Sequence, residues 1–552
     1  MPHDFLKKSL NLLLRRQTNI LSAAFIIMIT IVLSQILGIV RHRLLVGIFG
    51  ASDTLGIYLA SSRLPDFLFQ ITIAGALSSA FIPVFSEYIS REKKQDAYRL
   101  ASTLIVLGLV VFLVLATILF VFANEFLGLV APGLSKENIE LMASLMRIII
   151  FGQFLFIIGS FFSVTLQSYS HFFIPGIASA FYNLGIISSI FFLHPFLGIF
   201  SAAYGVILGA LIFAVIQIPK VRSIGFSFIP TLSLKTAGVL EVIRLMWPRT
   251  LAIGIFQLGT ILTFTLVSFL PNPGRSYVIF DYAQTLAFAP IVLFGQAIAQ
   301  AAFPVLSKER KNIEEFKTTF ATSLTQILYL ILPISVLFLV LRIPIVRLIY
   351  GASELDWQAT VLIGKTLALF SVFIFAQAVI NLLSRGFYAL HDTKTPLYIG
   401  AFSTALMLIL GFLFVLIYNM SVDSLAVAYS IAAIFNLLAL FLFLDKKTGG
   451  FNKMSIILPV SKIFIATIFT GFALYIPIKL LDQLVFDTTR TINLLILTGI
   501  SSFAGLSLYL FLTWLFNVKE AMAFLLVFKK IGRGKEILAK TDEAIEGTRF
   551  NP

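Results

Sequence analysis

Apolar residues run in long blocks separated by short polar stretches. The blocks fall at 20–46, 54–84, 97–122, 138–167, 173–194, 197–219, 239–270, 276–305, 315–341, 356–388, 395–418, 422–444, 456–478 and 491–516. A helix crosses a bilayer with about 20 apolar residues. In hydrocarbon a spanning segment must satisfy its own backbone hydrogen bonds. The pattern therefore predicts an all-α polytopic membrane protein with about fourteen transmembrane helices. The first 20 residues are polar and basic (Lys7, Lys8, Arg15, Arg16), and the apolar block after them is long, with no A-x-A site following. That reads as a retained first span, not a cleaved signal.

Composition agrees. Of 552 residues, 59% are hydrophobic and 12% charged, with mean hydropathy +0.99. Soluble chains hold about 45–50% apolar and about 25% charged residues, so a soluble fold is excluded. Cysteine is absent, which excludes disulfides, thiol catalysis and Cys-ligated metal. His3, His42, His171, His194 and His391 are scattered and lack metal-ligand spacing. No G-x-S-x-G, Walker loop or pair of catalytic carboxylates is visible, so an enzyme has no motif behind it. No cofactor is expected.

The net charge is +15. A basic balance can mark nucleic acid, a membrane surface or an anionic substrate, but no soluble region is large enough to bind nucleic acid. Most of the charge is a topology signal. With the N-terminus cytoplasmic, the inside loops hold Arg91, Lys93, Lys94 and Arg99, then Lys220, Arg222 and Lys235, then Lys308, Arg310, Lys311 and Lys317, then Arg385 and Lys394, then Lys446, Lys447 and Lys453. Outside loops hold few. Both termini inside agrees with an even number of spans. The tail from Val518 reads as an interfacial amphipathic helix and a solvated basic end. The expected segments are a cytoplasmic stretch 1–19, a first lobe 20–219, a linker 220–238, a second lobe 239–444, two further helices within 445–516, and a basic cytoplasmic tail 517–552.

The halves repeat. Ala80 to Ser86 resembles Ala302 to Ser307, and Leu166 to Pro175 aligns with Phe387 to Pro396. Pro83 and Pro304 are 221 positions apart (304 − 83), as are Pro175 and Pro396 (396 − 175). Six spans separate equivalent elements, so both halves face the same way. This predicts two parallel six-helix lobes plus two C-terminal helices, a transporter architecture that works by rocking one bundle against the other.

An ionised side chain at the bilayer centre costs about 2.5–3.5 kcal/mol and needs a partner or a cavity. Arg41 is late in span 1, Arg63 and Asp66 in span 2, Arg147 in span 4, Arg249 early in span 7, Asp281 in span 8 and Lys365 in span 10. Arg63 and Asp66, three apart on a helix, have the spacing to neutralise each other. Arg147 and Lys365 fall one turn from equivalent positions in the two halves. The surplus is cationic, which suits an anion and phosphate above all. Gln35, Gln70, Gln153, Gln257, Gln296, Gln300 and Gln377 also lie within spans and are expected to join helices by hydrogen bonds. Asp392, near Lys394 and Pro396, is expected to shape a turn.

At this point the chain resembles the lipid II flippase family MurJ (also called MviN). The matching residues are Leu37-Gly38-Ile39-Val40-Arg41, Phe49-Gly50-Ala51, Arg63-Leu64-Pro65-Asp66, Gly75 to Pro83, Ala131-Pro132-Gly133, Pro248-Arg249-Thr250-Leu251, Phe303 to Ser307, Phe387-Tyr388-Ala389 and Asp392 to Pro396. The resemblance covers roughly 20–450. It implies the MOP exporter fold, a central cationic cavity, a bacterial cytoplasmic membrane, and outward movement of an undecaprenyl-pyrophosphate-linked peptidoglycan precursor. Its partners would be that lipid-linked pyrophosphate and membrane lipids, acting on a monomer. Three family arginines are missing, their positions falling here at Gln35, at Phe69 or Gln70, and at Thr285, which would make this a divergent member. The expected substrate-binding residues are Arg41 and Arg63, helped by Arg147, Arg249 and Lys365. Coupling would come from membrane potential or a monovalent cation. The alternatives are a cation-coupled small-molecule exporter of the multidrug type, for which Asp66 is the candidate carboxylate, a flippase for another lipid-linked oligosaccharide, and a membrane scaffold.

Overall fold

A computed structural model describes residues 20–74, 81–229, 231–233, 235–484 and 490–522. The segment 1–19 and the tail beyond 522 lie outside the described residues. Every regular element among those described is helical. In chain order these are α1 (Ile20–Phe49), α2 (Asp53–Ser61), α3 (Arg63–Phe69), a π turn (Gln70–Ala74), α4 (Ile82–Ser90), α5 (Lys94–Val121), α6 (Ala123–Val130), α7 (Lys136–Ser168), α8 (Phe173–Leu197), α9 (Phe200–Val215) and α10 (Ile218–Ser223). The series continues with α11 (Val239–Ser268), α12 (Pro273–Pro290), a second π turn (Ile291–Gln296), α13 (Ala297–Glu309), α14 (Ile313–Val340), α15 (Arg342–Tyr350), α16 (Trp357–Ala389), α17 (Lys394–Phe412), a third π turn (Leu413–Ile417), α18 (Asp423–Lys447), α19 (Lys453–Leu484) and α20 (Thr491–Leu515).

Local chemistry sets several helix starts. Ser52 accepts from the Leu55 amide at 3.2 Å and Ser135 from the Asn138 amide at 3.3 Å. Each supplies an acceptor for an amide that has no partner within its helix. Twelve helices are long and apolar enough to cross a membrane among the described residues. The described parts of two further predicted blocks are also helical. Block 239–270 is α11, whose apolar stretch Ile253–Ser268 is shorter. Block 54–84 is broken at Ser62. Pro65 has no amide to donate back to Ser61, and the Ser61 and Ser62 hydroxyls donate instead to the Tyr58 and Leu59 carbonyls, at 2.7 and 3.0 Å.

The 221-residue offset extends to the backbone. Helix α7 (136–168) and helix α16 (357–389) correspond residue for residue, and the π turns starting at Gln70 and Ile291 are 221 apart (291 − 70). Ser170 and His391 have φ of 61° and 58°, while Gly198 and Asn419 have 52° and 50°, at the same offset (391 − 170; 419 − 198). Helices α19 and α20 have no counterpart in the first half.

By packing, the chain forms two compact units. The first holds the chain up to Tyr282 with Ile349–Thr366 and Thr404–Ala428. Its helices α8 and α9 meet where a Cβ on Gly185 would lie 2.5 Å from the Gly209 Cα, the small-residue packing that apolar solvent demands. The second holds Ala283–Leu348, Leu367–Ser403 and the chain from Tyr429. There α20 joins α14 through the Tyr509 hydroxyl, which donates to the Tyr329 carbonyl at 2.7 Å. Large side chains such as Phe196 (83% exposed) and Phe503 (76%) point outward, as lipid-facing residues do.

Asp392 does shape a turn. It accepts from the Lys394 and Thr395 amides at 3.1 and 3.0 Å, from the Thr395 hydroxyl at 2.8 Å, and from Lys447 Nζ at 2.5 Å. Burial pushes this carboxyl up, but Lys447 and Thr395 outweigh it and hold it down at about 2. A depressed carboxylate stabilises the fold above its unfolded pKa of about 4, and that contribution fades as pH falls through the folded value. Asp392→Asn keeps a capping side chain and loses the ion pair. Its Tm should lie below that of the parent near neutral pH, with the gap narrowing from about pH 5 to about pH 2; a gap independent of pH would contradict the charge assignment.

Candidate functional site

The break at Ser62 starts α3 with Arg63. A cation in the first turn of a helix meets the positive end of the helix dipole, and the membrane adds a desolvation cost. Arg63 therefore needs acceptors, and α12 supplies them. Tyr277 and Asp281 are four apart and share one face of that helix. Arg63 Nε donates to the Tyr277 hydroxyl at 2.5 Å, and Arg63 Nη2 is ion-paired with Asp281 Oδ1. The Arg63 side chain is 26% exposed and that of Asp281 10%. Tyr277 is itself held edge-on by Phe264, with ring centroids 4.7 Å apart.

Asp66 does not form the ion pair its spacing allows. Its carboxylate accepts from Gln153 Nε2 of α7 at 2.5 Å, and Arg63 turns to α12. This is the helix-joining role expected of a membrane glutamine.

Helix α1 closes the other side. Tyr282 Oη donates to the His42 carbonyl at 2.9 Å and its ring meets the imidazole edge-on at 5.2 Å. Tyr350 Oη donates to the Tyr282 carbonyl at 3.3 Å. Half-buried Arg41 makes no hydrogen bond or ion pair among the described residues. It stands one residue before His42, whose carbonyl receives the Tyr282 hydroxyl. The cluster thus holds two arginines and two aspartates. The acid of span 8 comes to the same place as the arginine of span 2, so Arg63 is paired across helices and not with the acid three residues on.

One end of this unit is sealed by backbone packing. A Cβ on Gly56 would lie 1.9 Å from the Gly274 carbonyl oxygen, and one on Gly133 would lie 2.0 Å from that of Ser268. Beside this contact the Arg275 amide donates to Asp53 at 2.8 Å, and Arg275 Nη2 pairs with Asp356 at 2.9 Å.

Two of the other expected site residues have partners of their own. Arg147 donates from Nε to the Phe120 carbonyl at 3.1 Å and sits 5.6 Å over the Phe120 ring. It serves a carbonyl in the last turn of α5 that lacks a helical partner. Lys365 pairs with Asp423 at 2.8 Å, is 59% exposed, and ties α16 to the first turn of α18. Arg249 lies in α11, and its side chain is outside those described. Of the five cations, Arg41 and Arg63 share the cluster. The sequence reading passed over Tyr277 and the pairing role of Asp281; their four-residue spacing on span 8 was the available signal. Among the described residues no group of His, Cys, Asp and Glu is arranged to hold a metal ion.

Comparison with known proteins adds a family. A family model described as "Lipid II flippase MurJ" matches residues 45–495. The "Probable lipid II flippase MurJ" of Buchnera aphidicola subsp. Acyrthosiphon pisum is 30% identical over 396 residues, covering 70% of this chain and 77% of the relative. The "Lipid II flippase MurJ" of Burkholderia cenocepacia is 25% identical over 425 residues, covering 75% and 82%. Among solved structures, "Lipid II flippase MurJ, inward closed conformation" superimposes with TM-score 0.74 at 23% identity, covering 89% of this chain and 98% of that one. An inward-facing multidrug resistance MATE transporter of the MOP superfamily gives TM-score 0.63 at 14% identity, covering 75% and 94%.

Removing one partner of a buried ion pair leaves the other uncompensated, at a cost of about 3–5 kcal/mol. Arg63→Ala should therefore lower Tm strongly, and Arg63→Ala with Asp281→Ala should recover most of the loss. Additive losses in the thermal melts of the three variants would show that the pair does not act as a unit.

Proposed function

The chain belongs to the MurJ lipid II flippase family, and from that footing we propose that it moves lipid II from the cytoplasmic to the outer leaflet by alternating access. The observation that carries this reading to particular residues is the buried cluster holding Arg41 and Arg63. A diphosphate needs guanidinium groups in a low-dielectric site, where charge-assisted bonds are strong. The Arg63 side chain is 26% exposed, and Arg41 has no direct partner among the described residues. These two arginines engage the pyrophosphate. Arg147 and Lys365 pair with the Phe120 carbonyl and Asp423, neither of which belongs to the Arg63 cluster, so we assign them no direct part in the binding step. Arg249 remains a candidate helper. The polyprenyl chain stays in lipid.

In this reading the lobes 20–219 and 239–444 are the moving bodies, and both termini are cytoplasmic in the bacterial inner membrane. The end sealed at Gly56 and Gly274 is then the outer end, because the loop charge bias puts the basic loops on the opposite side. The protein works as a monomer among membrane lipids, binds no nucleic acid and forms or breaks no covalent bond. An anion moving outward gains about 2.3 kcal/mol per charge per 100 mV of inside-negative potential, which biases the cycle without a cofactor. A multidrug-type exporter is the less favoured reading, since the resemblance to MATE transporters is one of fold at 14% identity.

The test is complementation of a flippase-depleted strain. Arg41→Ala and Arg63→Ala should each abolish rescue while the protein still inserts, and Arg147→Ala should retain it. Full rescue by Arg41→Ala would remove that residue from the site.

A further inference from the structure

The guanidinium of Arg63 has two edges able to grip a diphosphate in bidentate fashion. One of them, the Nε–Nη2 edge, is already taken: Nε by the Tyr277 hydroxyl and Nη2 by the Asp281 carboxylate. Both acceptors belong to α12, and Arg63 heads α3. The edge that matches a phosphate fork is thus filled by an internal stand-in, one carboxylate oxygen and one hydroxyl, at a site with little access to water. Asp66, the acid nearest in sequence, is occupied by Gln153, so it does not take the same place.

We propose that Asp281 is a positioning residue that competes with the diphosphate of the substrate for Arg63, and that exchanging one for the other releases α3 from α12. This deepens the flippase reading and rests on it. Empty, the site is neutralised by its own carboxylate, and α12 is held to α3. Loaded, the diphosphate takes the Nε–Nη2 edge and Asp281 is freed. The N-terminal end of α12 carries Gly274 and Arg275, which pack on α2 at the seal. Releasing Arg63 therefore removes the ionic tie beneath that contact. Binding and opening become one event, because the same two nitrogens cannot serve both acceptors.

Asp281 would then set affinity and rate in opposite directions. The probe is undecaprenyl pyrophosphate, titrated against the full-length protein in nanodiscs, with lipid II flipping measured in proteoliposomes. Asp281→Asn should bind the probe about tenfold tighter, because Arg63 has lost its internal competitor, yet flip more slowly. Asp281→Glu should restore both values toward those of the parent. A substitution that only loosened the fold would weaken binding instead.

The absence of cysteine gives a clean second readout. Gly47 of α1 meets Ala352, four residues before the Asp356 that pairs with Arg275 of α12, and a Cβ on Gly47 would lie 3.0 Å from the Ala352 Cβ, a little inside disulfide range. In a Gly47→Cys, Ala352→Cys background, cross-linking should fall when the probe is added. With Asp281→Asn it should be low from the start. Unchanged or weaker affinity in Asp281→Asn, in a parent that does bind the probe, overturns the exchange while leaving the flippase reading intact. If neither parent nor variant binds the probe, the substrate reading has failed and the exchange falls with it.

Discussion

A cation at the start of a membrane-embedded helix is the constraint on which this structure turns. Arg63 stands where the helix dipole opposes it and where water is scarce. It is held by a carboxylate and a hydroxyl from a helix more than 200 residues away in sequence. That single requirement brings α3 against α12. Tyr282, on the same helix, then carries the contact to α1, and Gly274 and Arg275 carry it to the end of the unit. Each further contact is short-range and modest, and each depends on α12 being where Arg63 needs it.

The two halves share a backbone and differ in chemistry. Both have a π turn in the second span of the half, and both have left-handed residues at matching loop positions. Such π turns often mark functional sites. The side chains diverge at the offset positions: the counterpart of Arg63 is Gln284, and that of Asp281 is Ala60. The second π turn is served instead by Arg385, whose Nη1 donates to the Gln296 carbonyl at 3.0 Å. Duplication supplies the framework of helix lengths and breaks, which depends on apolar pattern and turn geometry. The ionic tie arises from asymmetric substitution upon it.

Much of the fold was legible in the sequence because hydrophobic length and loop charge act locally. The blocks matched the helices, and two proline pairs at one offset, together with the span pattern, pointed to a repeat that the backbone displays in its long helices, π turns and loop residues. The broken second span was less legible. Its cause is Pro65 after two serines, a competition between hydroxyl and amide that block hydropathy does not register. The site was half legible. Arg41 and Arg63 were identifiable as buried cations, but their company was not, since contacts between Arg63 and Asp281 or between Asp66 and Gln153 are long-range. Arg147 shows the converse. It has the composition of a cavity residue, yet it satisfies a carbonyl at the end of a neighbouring helix.

The central claim is that the Arg63 cluster receives the diphosphate of the substrate. A structure of the protein with lipid II bound tests it most directly. The account predicts the diphosphate within hydrogen-bonding distance of the Arg63 guanidinium and of Arg41, with Asp281 no longer paired to Arg63. A bound lipid II whose diphosphate lies elsewhere, with Arg63 still joined to Asp281 and Tyr277, would contradict it.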